Sequence, residues 1–335
     1  MPLVVLLVAV EWGVRLVWEP PERPAELDLE MVPHPTRLWA LNPGENTDRG
    51  RVYQVNADQL RVVEDTGAPY RVFTTGDSSI FGHGLGSEDT LHAQLSGALG
   101  EQGTPTDVFC GAVPGYSTEQ TLVVLDEVGW DLDPDVLVVG NLWSDNNFDN
   151  FVDAVWMAEL RQPSRRIDYA LLRFQSWQLL RQARHPDQLH EGLPVGWIRE
   201  PEEPEHGKRR VPLEDYAANL DHILAEAASR GVGVIFLLPC NRERLKMDGR
   251  GLAAWDVYFE TMVAVADRRG VPWVDACDVL RLTDLRGDAA FLDSMHPTGA
   301  TNAAYGDALA KALVDAGWPE RPVPDAGPEA LTKSR

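Results

Sequence analysis

The sequence lacks the short motifs that usually mark metal and nucleotide sites. It contains no Cys-x-x-Cys and no His-Glu-x-x-His, so we predict no metal site. Gly82, Gly84 and Gly86 form neither a dinucleotide-binding fingerprint nor a Walker loop. Nucleotide binding is therefore not expected either.

Cysteine is scarce, with three residues among 335. Cys110, Cys240 and Cys277 are far apart and lie in or next to apolar runs. Thiols in such surroundings behave as small hydrophobic side chains. The sequence therefore predicts buried free thiols rather than a disulfide framework or a zinc site.

Basic residues are few relative to acidic ones. The chain has 30 Lys and Arg residues against 52 Asp and Glu residues, which gives a formal net charge of -22. A field of this sign repels nucleic acids and anionic membrane surfaces, so neither is an expected partner. Solubility, or adaptation to salt, is the ordinary explanation of the charge. The sequence carries no signal for the oligomeric state.

The apolar run at the start of the chain is short. Leu3 to Val10 is eight apolar residues, Glu11 ends the run, and apolar residues resume as far as Trp18. A bilayer needs roughly 20 such residues, and neither a basic region nor a cleavage site marks a signal peptide. Two interpretations of residues 1–18 stay open: the end of a membrane anchor that starts upstream, or an amphipathic helix packed on the domain. The first predicts an extracytoplasmic, membrane-associated protein, and the second allows a cytoplasmic one.

Composition divides the rest of the chain into segments. With 44% hydrophobic residues, the protein can bury a sizeable core. Residues 19–50 are rich in proline and polar side chains and are predicted to form a linker. One catalytic domain is predicted over residues 51–318, with a helical insertion, a cap or lid, at about 148–211. The charged, proline-containing tail at 319–335 is predicted to be disordered.

Short apolar runs alternate with helical stretches after residue 50. This alternation predicts a parallel sheet covered by helices on both faces. The helical stretches are clearest at 117–128, 213–230, 253–269 and 298–316. The five strand-like runs are Tyr70–Thr75, Thr106–Cys110, Val136–Val139, Val232–Leu238 and Pro272–Asp275.

Polar and small residues follow the ends of these runs. Ser78 comes after the first run, Gly115 after the second, and the segment 141–146 after the third. Asp293 and His296 lie just before the last helical stretch. Because ligands bind outside the carboxyl ends of the strands in open parallel sheets, we expect these residues to meet at one edge.

Ser78, His296 and Asp293 have the chemistry of a nucleophile and its two partners. A serine hydroxyl needs a base to take its proton, which a histidine can do near neutral pH. A carboxylate on the second imidazole nitrogen fixes the tautomer. Taken singly, Gly-Asp-Ser is more often a helix N-cap, and Asp-x-x-His a local hydrogen bond. Their combination in this order favours catalysis.

Two other polar residues fit these strand ends less well. His83 lies close to Ser78 in sequence, but it is better explained as a loop residue than as the base. Arg242 follows the fourth run and is better explained by a surface ion pair than by binding of a substrate anion.

The sequence resembles the SGNH (GDSL) hydrolase family from about Arg51 to Leu313. The first family block is matched by Val72–Ser79, the last by Asp293–Pro297, and the second by Gly115 and its neighbours. The resemblance implies a flavodoxin-like, three-layer α/β/α sandwich with a five-stranded parallel sheet. It also implies a serine mechanism on esters, with Ser78, His296 and Asp293 as the triad, and no cofactor.

The third family block, Gly-x-Asn-Asp, is altered in this chain. Leu142 stands at the glycine position and Ser144 at the asparagine position, while Asp145 keeps its place. In the family the asparagine side chain donates to the oxyanion, and Ser144 has a shorter reach. Asn146 or Asn141 would substitute if the loop is shifted. Losing one oxyanion donor costs on the order of 10²–10³ in rate.

Three functions stay open from these residues. The leading one is an ester hydrolase, namely an esterase, a lipase-like enzyme or a carbohydrate O-deacetylase, with a small-molecule or glycan ester as substrate. An O-acyltransferase would replace the attacking water with a sugar hydroxyl. A family member that binds a glycan without turnover is the third, and only the altered third block supports it.

Overall fold

Strands and helices alternate along the chain. The computed structural model describes residues 2–19, 31–62, 65–184, 207–247 and 255–319. The strands are β1 (Met31–His34), β2 (Leu38–Leu41), β3 (Gly44–Asp48), β4 (Arg51–Val55), β5 (Tyr70–Gly76), β6 (Thr106–Cys110), β7 (Val136–Gly140), β8 (Phe148–Asp149), β9 (Lys208–Arg209), β10 (Gly233–Leu238) and β11 (Trp273–Asp275). The helices are α1 (Pro2–Val17), α2 (Ser78–Phe81), α3 (Leu91–Glu101), α4 (Thr118–Val124), α5 (Trp143–Asn146), α6 (Asp153–Leu160), α7 (Pro163–Leu171), α8 (Gln175–Arg184), α9 (Leu213–Arg230), α10 (Arg242–Lys246), α11 (Asp256–Arg269), α12 (Ala276–Arg281) and α13 (Gly299–Asp315).

The larger of two compact units carries the central sheet. This unit comprises Pro43–Asn147 and Arg209–Arg335. Its sheet has five parallel strands in the order β11-β10-β7-β5-β6. Counted along the chain, this is the order 2-1-3-4-5 of flavodoxin-like folds. The connections leave in opposite directions from β5 and β7, so the ligand-binding crevice of such a sheet lies at the carboxyl ends of these two strands.

Helices cover both faces of this sheet. Right-handed crossovers place α3 and α13 together on one face, and α4, α9 and α11 together on the other. Gly306 allows α13 to approach α3 closely, because a Cβ there would lie 2.9 Å from the backbone nitrogen of Leu95. The predicted three-layer α/β/α fold is confirmed, and all five predicted runs are strands of the sheet.

The smaller unit comprises Met1–Asn42 and Phe148–Lys208. In it β1 pairs with β2 in antiparallel fashion, and α1 packs against α8. The Glu11 carboxylate makes this contact specific, because it accepts the Gln175 and Ser176 amide N–H groups at 3.0 Å each and the Ser176 hydroxyl at 2.6 Å. Burial alone would raise the pKa of Glu11, but these bonds and one from Arg15 lower the pKa to about 2.

The predicted linker over residues 19–50 differs from what the structure places there. Where this segment is described, it contains β1, β2 and β3 rather than irregular chain. Leu38–Leu41 are all buried, and such a four-residue apolar strand is hidden in the average composition of a proline-rich segment.

The predicted insertion at 148–211 contains α6, α7 and α8 over its described part, and its role as a cap or lid stays a prediction. Within it α7 ends at Leu171 and α8 begins at Gln175. The tail beyond residue 319 lies outside the described residues.

The prediction of three free thiols is wrong for two of them. Cys240 and Cys277 form a disulfide, with Cα atoms 4.9 Å apart. Cys240 follows β10, and Cys277 follows the adjacent parallel strand β11, so strand pairing brings together residues that are distant in sequence. Cys110 is a buried free thiol as predicted, and burial raises its pKa to about 12.

Candidate active site

Ser78 lies at the carboxyl end of the central strand β5. The strand ends at Gly76, Asp77 caps the short helix α2, and Ser78 is its first residue. Ile80 packs over the ends of two strands, because a Cβ on Gly76 or on Gly140 would lie 2.5 Å from its side chain. Glycine at both strand ends therefore lets α2 sit directly on the sheet and fixes where Ser78 emerges.

Asp77 supports the turn that carries Ser78. Its Oδ1 accepts the Ser79 amide N–H at 3.0 Å and the Ser79 hydroxyl at 2.7 Å. Its Oδ2 accepts the amide N–H of Ser144 at 3.3 Å. Burial is the leading influence and raises the pKa of Asp77, although these hydrogen bonds oppose it. The N-cap expected of an isolated Gly-Asp-Ser is thus present. Asp77 provides it, so the Ser78 hydroxyl is not used to cap the helix.

A tight turn before α13 presents His296 and Asp293 together. The amide N–H of Leu292 donates to the His296 carbonyl at 2.8 Å and closes this turn. Asp293 Oδ1 accepts the amide N–H groups of Met295 and His296, each at 2.9 Å. The second carboxylate oxygen is then directed at the imidazole ring.

Ser78, His296 and Asp293 form one hydrogen-bonded line. His296 Nδ1 lies 2.7 Å from Asp293 Oδ2, and His296 Nε2 lies 2.8 Å from Ser78 Oγ. Burial alone would raise the pKa of Asp293, but hydrogen bonds from the His296 ring and from two backbone amides hold it well below its usual range. An ionised carboxylate only accepts, so in a neutral ring Nδ1 carries the proton and Nε2 accepts from the serine hydroxyl. This arrangement is the one that allows a serine to act as a nucleophile.

Two backbone N–H groups near Ser78 are candidates for binding an oxyanion. Gly115 has φ +79°, a left-handed conformation that glycine adopts readily. Within the described ranges, the amide N–H groups of Gly115 and Ser78 donate to no acceptor. Both follow strand ends, so the geometry is compatible with the predicted role of Gly115.

The loop after β7 carries three polar side chains, and their hydrogen-bond partners differ. Ser144 is buried, and its hydroxyl makes no hydrogen bond to any described residue. Asn146 Oδ1 accepts a hydrogen bond from the Arg209 guanidinium, which fixes the orientation of its amide. Asn141 Oδ1 accepts the Thr121 hydroxyl at 3.2 Å. Of these side chains, the Ser144 hydroxyl is thus the one without another partner.

Asp145 connects the segment after β6 to the loop after β7. Its Oδ1 accepts the amide N–H of Thr118 at 2.9 Å and the Thr118 hydroxyl at 2.6 Å. Thr118 follows the N-cap Ser117, which forms a capping box with Gln120. Asp145 therefore anchors the start of α4.

Three further residues surround the His296 turn. The Arg49 guanidinium donates to Asp293 at 2.7 Å, which no local sequence pattern indicated. The centroids of the His83 and His296 rings lie 4.5 Å apart, so His83 packs on His296. Arg242 donates to Asp288 at 2.6 Å and to the Phe291 carbonyl at 2.7 Å, so it holds the turn instead of facing a ligand.

Comparisons with known proteins show solved structures with a similar fold. No family model and no curated protein matches the sequence. The chain is similar to an α/β hydrolase enzyme from the metagenome of Lake Arreo, Spain, with 19% identity, coverage of 74% of this chain and 96% of that one, and a TM-score of 0.48. It is also similar to an acetylxylan esterase from Geobacillus stearothermophilus, with 15% identity, coverage of 73% of this chain and 94% of that one, and a TM-score of 0.46. A third similar structure is a lipase/acylhydrolase from Enterococcus faecalis, with 12% identity, coverage of 73% of this chain and 95% of that one, and a TM-score of 0.45. Such distant similarity leaves the chemistry to this chain's own residues.

Proposed function

We propose that this protein is a serine hydrolase that cleaves an ester bond. The observation that carries the proposal is the continuous hydrogen-bonded line from Ser78 Oγ through His296 to Asp293. The line lies at the carboxyl end of β5, where the strand order of the sheet changes direction. In this proposal Ser78 is the nucleophile, His296 the base, and Asp293 the carboxylate that orients it.

The reaction proceeds through two acyl transfers. Ser78 Oγ attacks the ester carbonyl carbon while its proton moves to His296 Nε2, and the carbonyl oxygen becomes an oxyanion. Collapse of this intermediate breaks the ester C–O bond, and the leaving alcohol takes the proton from His296. Water then attacks the acyl-enzyme with His296 again as the base, which releases the acid and restores the Ser78 hydroxyl.

The oxyanion is stabilised by donors that the fold leaves without partners. The amide N–H groups of Ser78 and Gly115 meet this condition, and Ser144 Oγ–H adds a third donor. Donors held in place before the reaction stabilise the charge as it develops, which is usually a large contribution to catalysis. Ser144 thus takes the role of the family asparagine at a shorter reach.

Covalent labelling of Ser78 tests the proposal. An organophosphonate probe should add to Ser78 in the purified protein, and the modified peptide identifies the residue by mass spectrometry. Ser78→Ala should lose the adduct, whereas Ser79→Ala is the matched control, because the Ser79 hydroxyl already donates to Asp77. A folded protein that is not labelled at Ser78 would contradict the proposal.

A panel of activated esters with short and long acyl chains then identifies the substrate class. Hydrolysis of short-chain esters favours an esterase or O-deacetylase, and hydrolysis of long-chain esters favours a lipase-like enzyme. Release of acid without added acceptor distinguishes a hydrolase from an O-acyltransferase, in which a sugar hydroxyl must accept the acyl group. A labelled protein that turns over no ester with either acceptor would favour glycan binding without turnover.

We further propose an extracytoplasmic, membrane-associated location. The Cys240–Cys277 disulfide supports it, because such bonds persist in oxidising compartments. The apolar surface of α1 supports it as well: Leu3, Trp12 and Leu16 are 66%, 64% and 81% exposed. No helix among the described residues has both the length and the apolarity to cross a membrane. Recovery of the native protein in the soluble cytoplasmic fraction would refute this location.

A further inference from the structure

A β-hairpin outside the central sheet reaches the Asp293–His296 pair. Strands β3 and β4 pair with Asp48 opposite Arg51, so Arg49 and Gly50 are the two residues of the turn. Both have positive φ, 48° and 75°, as a tight two-residue hairpin turn requires. A left-handed conformation is uncommon for a side chain as large as arginine. The hairpin therefore fixes the position of Arg49 through its backbone.

Arg49 contacts the same oxygen that holds His296. Its Nη2 donates to Asp293 Oδ2 at 2.7 Å, and that oxygen also accepts from His296 Nδ1 at 2.7 Å. Asp293 Oδ1 is already occupied by two backbone amides. The arginine thus completes the set of donors that holds the carboxylate plane against the imidazole.

The residue before Arg49 supports the other side of the imidazole. Asp48 is buried, its Oδ2 accepts the Gly84 amide N–H at 2.6 Å, and the same oxygen lies 2.8 Å from His83 Nδ1. The His83 ring in turn packs on the His296 ring, with centroids 4.5 Å apart. Two adjacent residues of one hairpin, Asp48 and Arg49, therefore contact His83 and Asp293, the two neighbours of His296.

We infer that Arg49 is a positioning residue for the proposed reaction: it holds the Asp293 carboxylate and shares its negative charge with His296. The inference rests on the proposed function of the triad. The arginine offsets part of the negative charge of Asp293, which weakens the attraction between that carboxylate and positive charge on the His296 ring. Removing Arg49 should therefore change the pH dependence of ester hydrolysis as well as its rate.

Other charged groups near His296 set the background for this effect. These groups are Asp293 on the same turn, Asp77 below α2, and His83, whose ring packs on the His296 ring. None of these is changed by a substitution at position 49. Arg49 is 42% exposed along its side chain, so solvent screens its charge and the effect is moderate.

The experiment compares Arg49→Met with Arg51→Met in the full-length protein. Arg51 is an exposed arginine on the same hairpin, and it makes no ion pair or hydrogen bond with its side chain among the described residues. Hydrolysis of one activated short-chain ester is measured across pH for both variants, and circular dichroism verifies that they fold. The third variant, Arg49→Lys, keeps the charge but loses the planar guanidinium.

Only the substitutions at position 49 are expected to change ester hydrolysis. Arg49→Met should lower kcat about 3- to 30-fold at unchanged KM, because the acid–base pair loses its alignment. It should also move the acidic limb of the pH profile upward by about half a pH unit. In Arg49→Lys the acidic limb should lie at the same pH as in the unmodified protein, whereas kcat should recover only in part. Arg51→Met should behave as the unmodified protein.

Two results would overturn the inference. An acidic limb that stays in place in folded Arg49→Met would show that the arginine does not act on His296. A higher KM with an unmoved limb would assign Arg49 to substrate binding instead. If the unmodified protein itself hydrolyses no ester and Ser78 takes no phosphonate, the proposed function has failed, which is a different outcome.

Discussion

Asp77 and Ser144 connect the loop that carries Ser78 to the loop that follows β7. The carboxylate of Asp77 accepts the Ser144 amide N–H at 3.3 Å with one oxygen, and the other oxygen caps α2. The two loops leave neighbouring strands, β5 and β7. A single buried side chain thus fixes the spacing between the loop of Ser78 and the loop of Ser144.

Replacing Asp77 by asparagine should weaken both the fold and the site. The amide keeps one acceptor oxygen, so either the cap of α2 or the bond to Ser144 is lost. We expect the free energy of unfolding in urea to fall by about 1–3 kcal/mol. Ser79→Ala removes only the hydroxyl bond and should cost about 1 kcal/mol. An Asp77→Asn protein as stable and active as the original would show that the link between the loops is unimportant.

Ser144 should contribute to turnover through its hydroxyl. Ser144→Ala should lower the acylation rate at unchanged stability, by about 1–3 kcal/mol of transition-state stabilisation. Ser144→Asn should restore or raise the rate, because the longer amide reaches the position that the family pattern fills. Turnover of an activated short-chain ester is the measurement.

Asn146→Ala separates this prediction from its alternative. The Arg209 guanidinium holds the Asn146 side chain, so its removal should change stability more than turnover. A kinetic defect in Asn146→Ala with normal Ser144→Ala would move the oxyanion role to Asn146. Unchanged turnover in all three variants would leave the backbone N–H groups of Ser78 and Gly115 as the donors.

Asp293 should stay ionised wherever the protein is active. Its pKa lies well below the usual range, so Asp293 should contribute no proton to the acidic limb of kcat/KM. Because the pKa of Asp293 is lower in the folded state than in the unfolded chain, its contribution to stability is complete above about pH 4 and declines as the pH falls further. Asp293→Asn should lower kcat by about 10³- to 10⁴-fold with the fold retained. A limb with a two-proton slope would contradict this assignment.

The Cys240–Cys277 disulfide should stabilise the sheet edge. It closes a segment of 37 residues, for which chain entropy gives about 3–4 kcal/mol. A reductant should therefore lower the free energy of unfolding, and it should have no effect on a Cys240→Ser/Cys277→Ser protein. Alkylation of the unfolded chain gives an independent count, because Cys110 alone should react before reduction. Three reactive thiols before reduction would contradict the pairing.

The five strands and the Ser78, Asp293 and His296 motifs were predictable from the sequence for local reasons. A buried parallel strand is a short apolar run, and the carboxyl ends of such strands meet at one edge whatever the details of the loops. Asp293 and His296 are close in sequence, so a single turn unites them. Fold class and triad thus depend on signals that extend over a few residues.

The partners of these residues were not predictable, because they depend on pairings across the whole chain. Arg49 comes from a hairpin within a segment that composition describes as a linker. The disulfide requires that β10 and β11 be neighbours, which is a property of strand order. Glu11 appears in the sequence as the end of an apolar run, yet it accepts hydrogen bonds from the first turn of α8.

The separation of these contacts along the chain determines how the protein acquires activity. Ser78 and His296 are 218 positions apart, and Arg49 and Asp293 are 244 apart. Contacts of such high sequence separation form late, because the entropy of closing long loops must be overcome first. During refolding, helical signal should therefore return before ester hydrolysis does. Recovered ester hydrolysis would then measure completion of the whole larger unit, from the β3–β4 hairpin to the turn before the last helix.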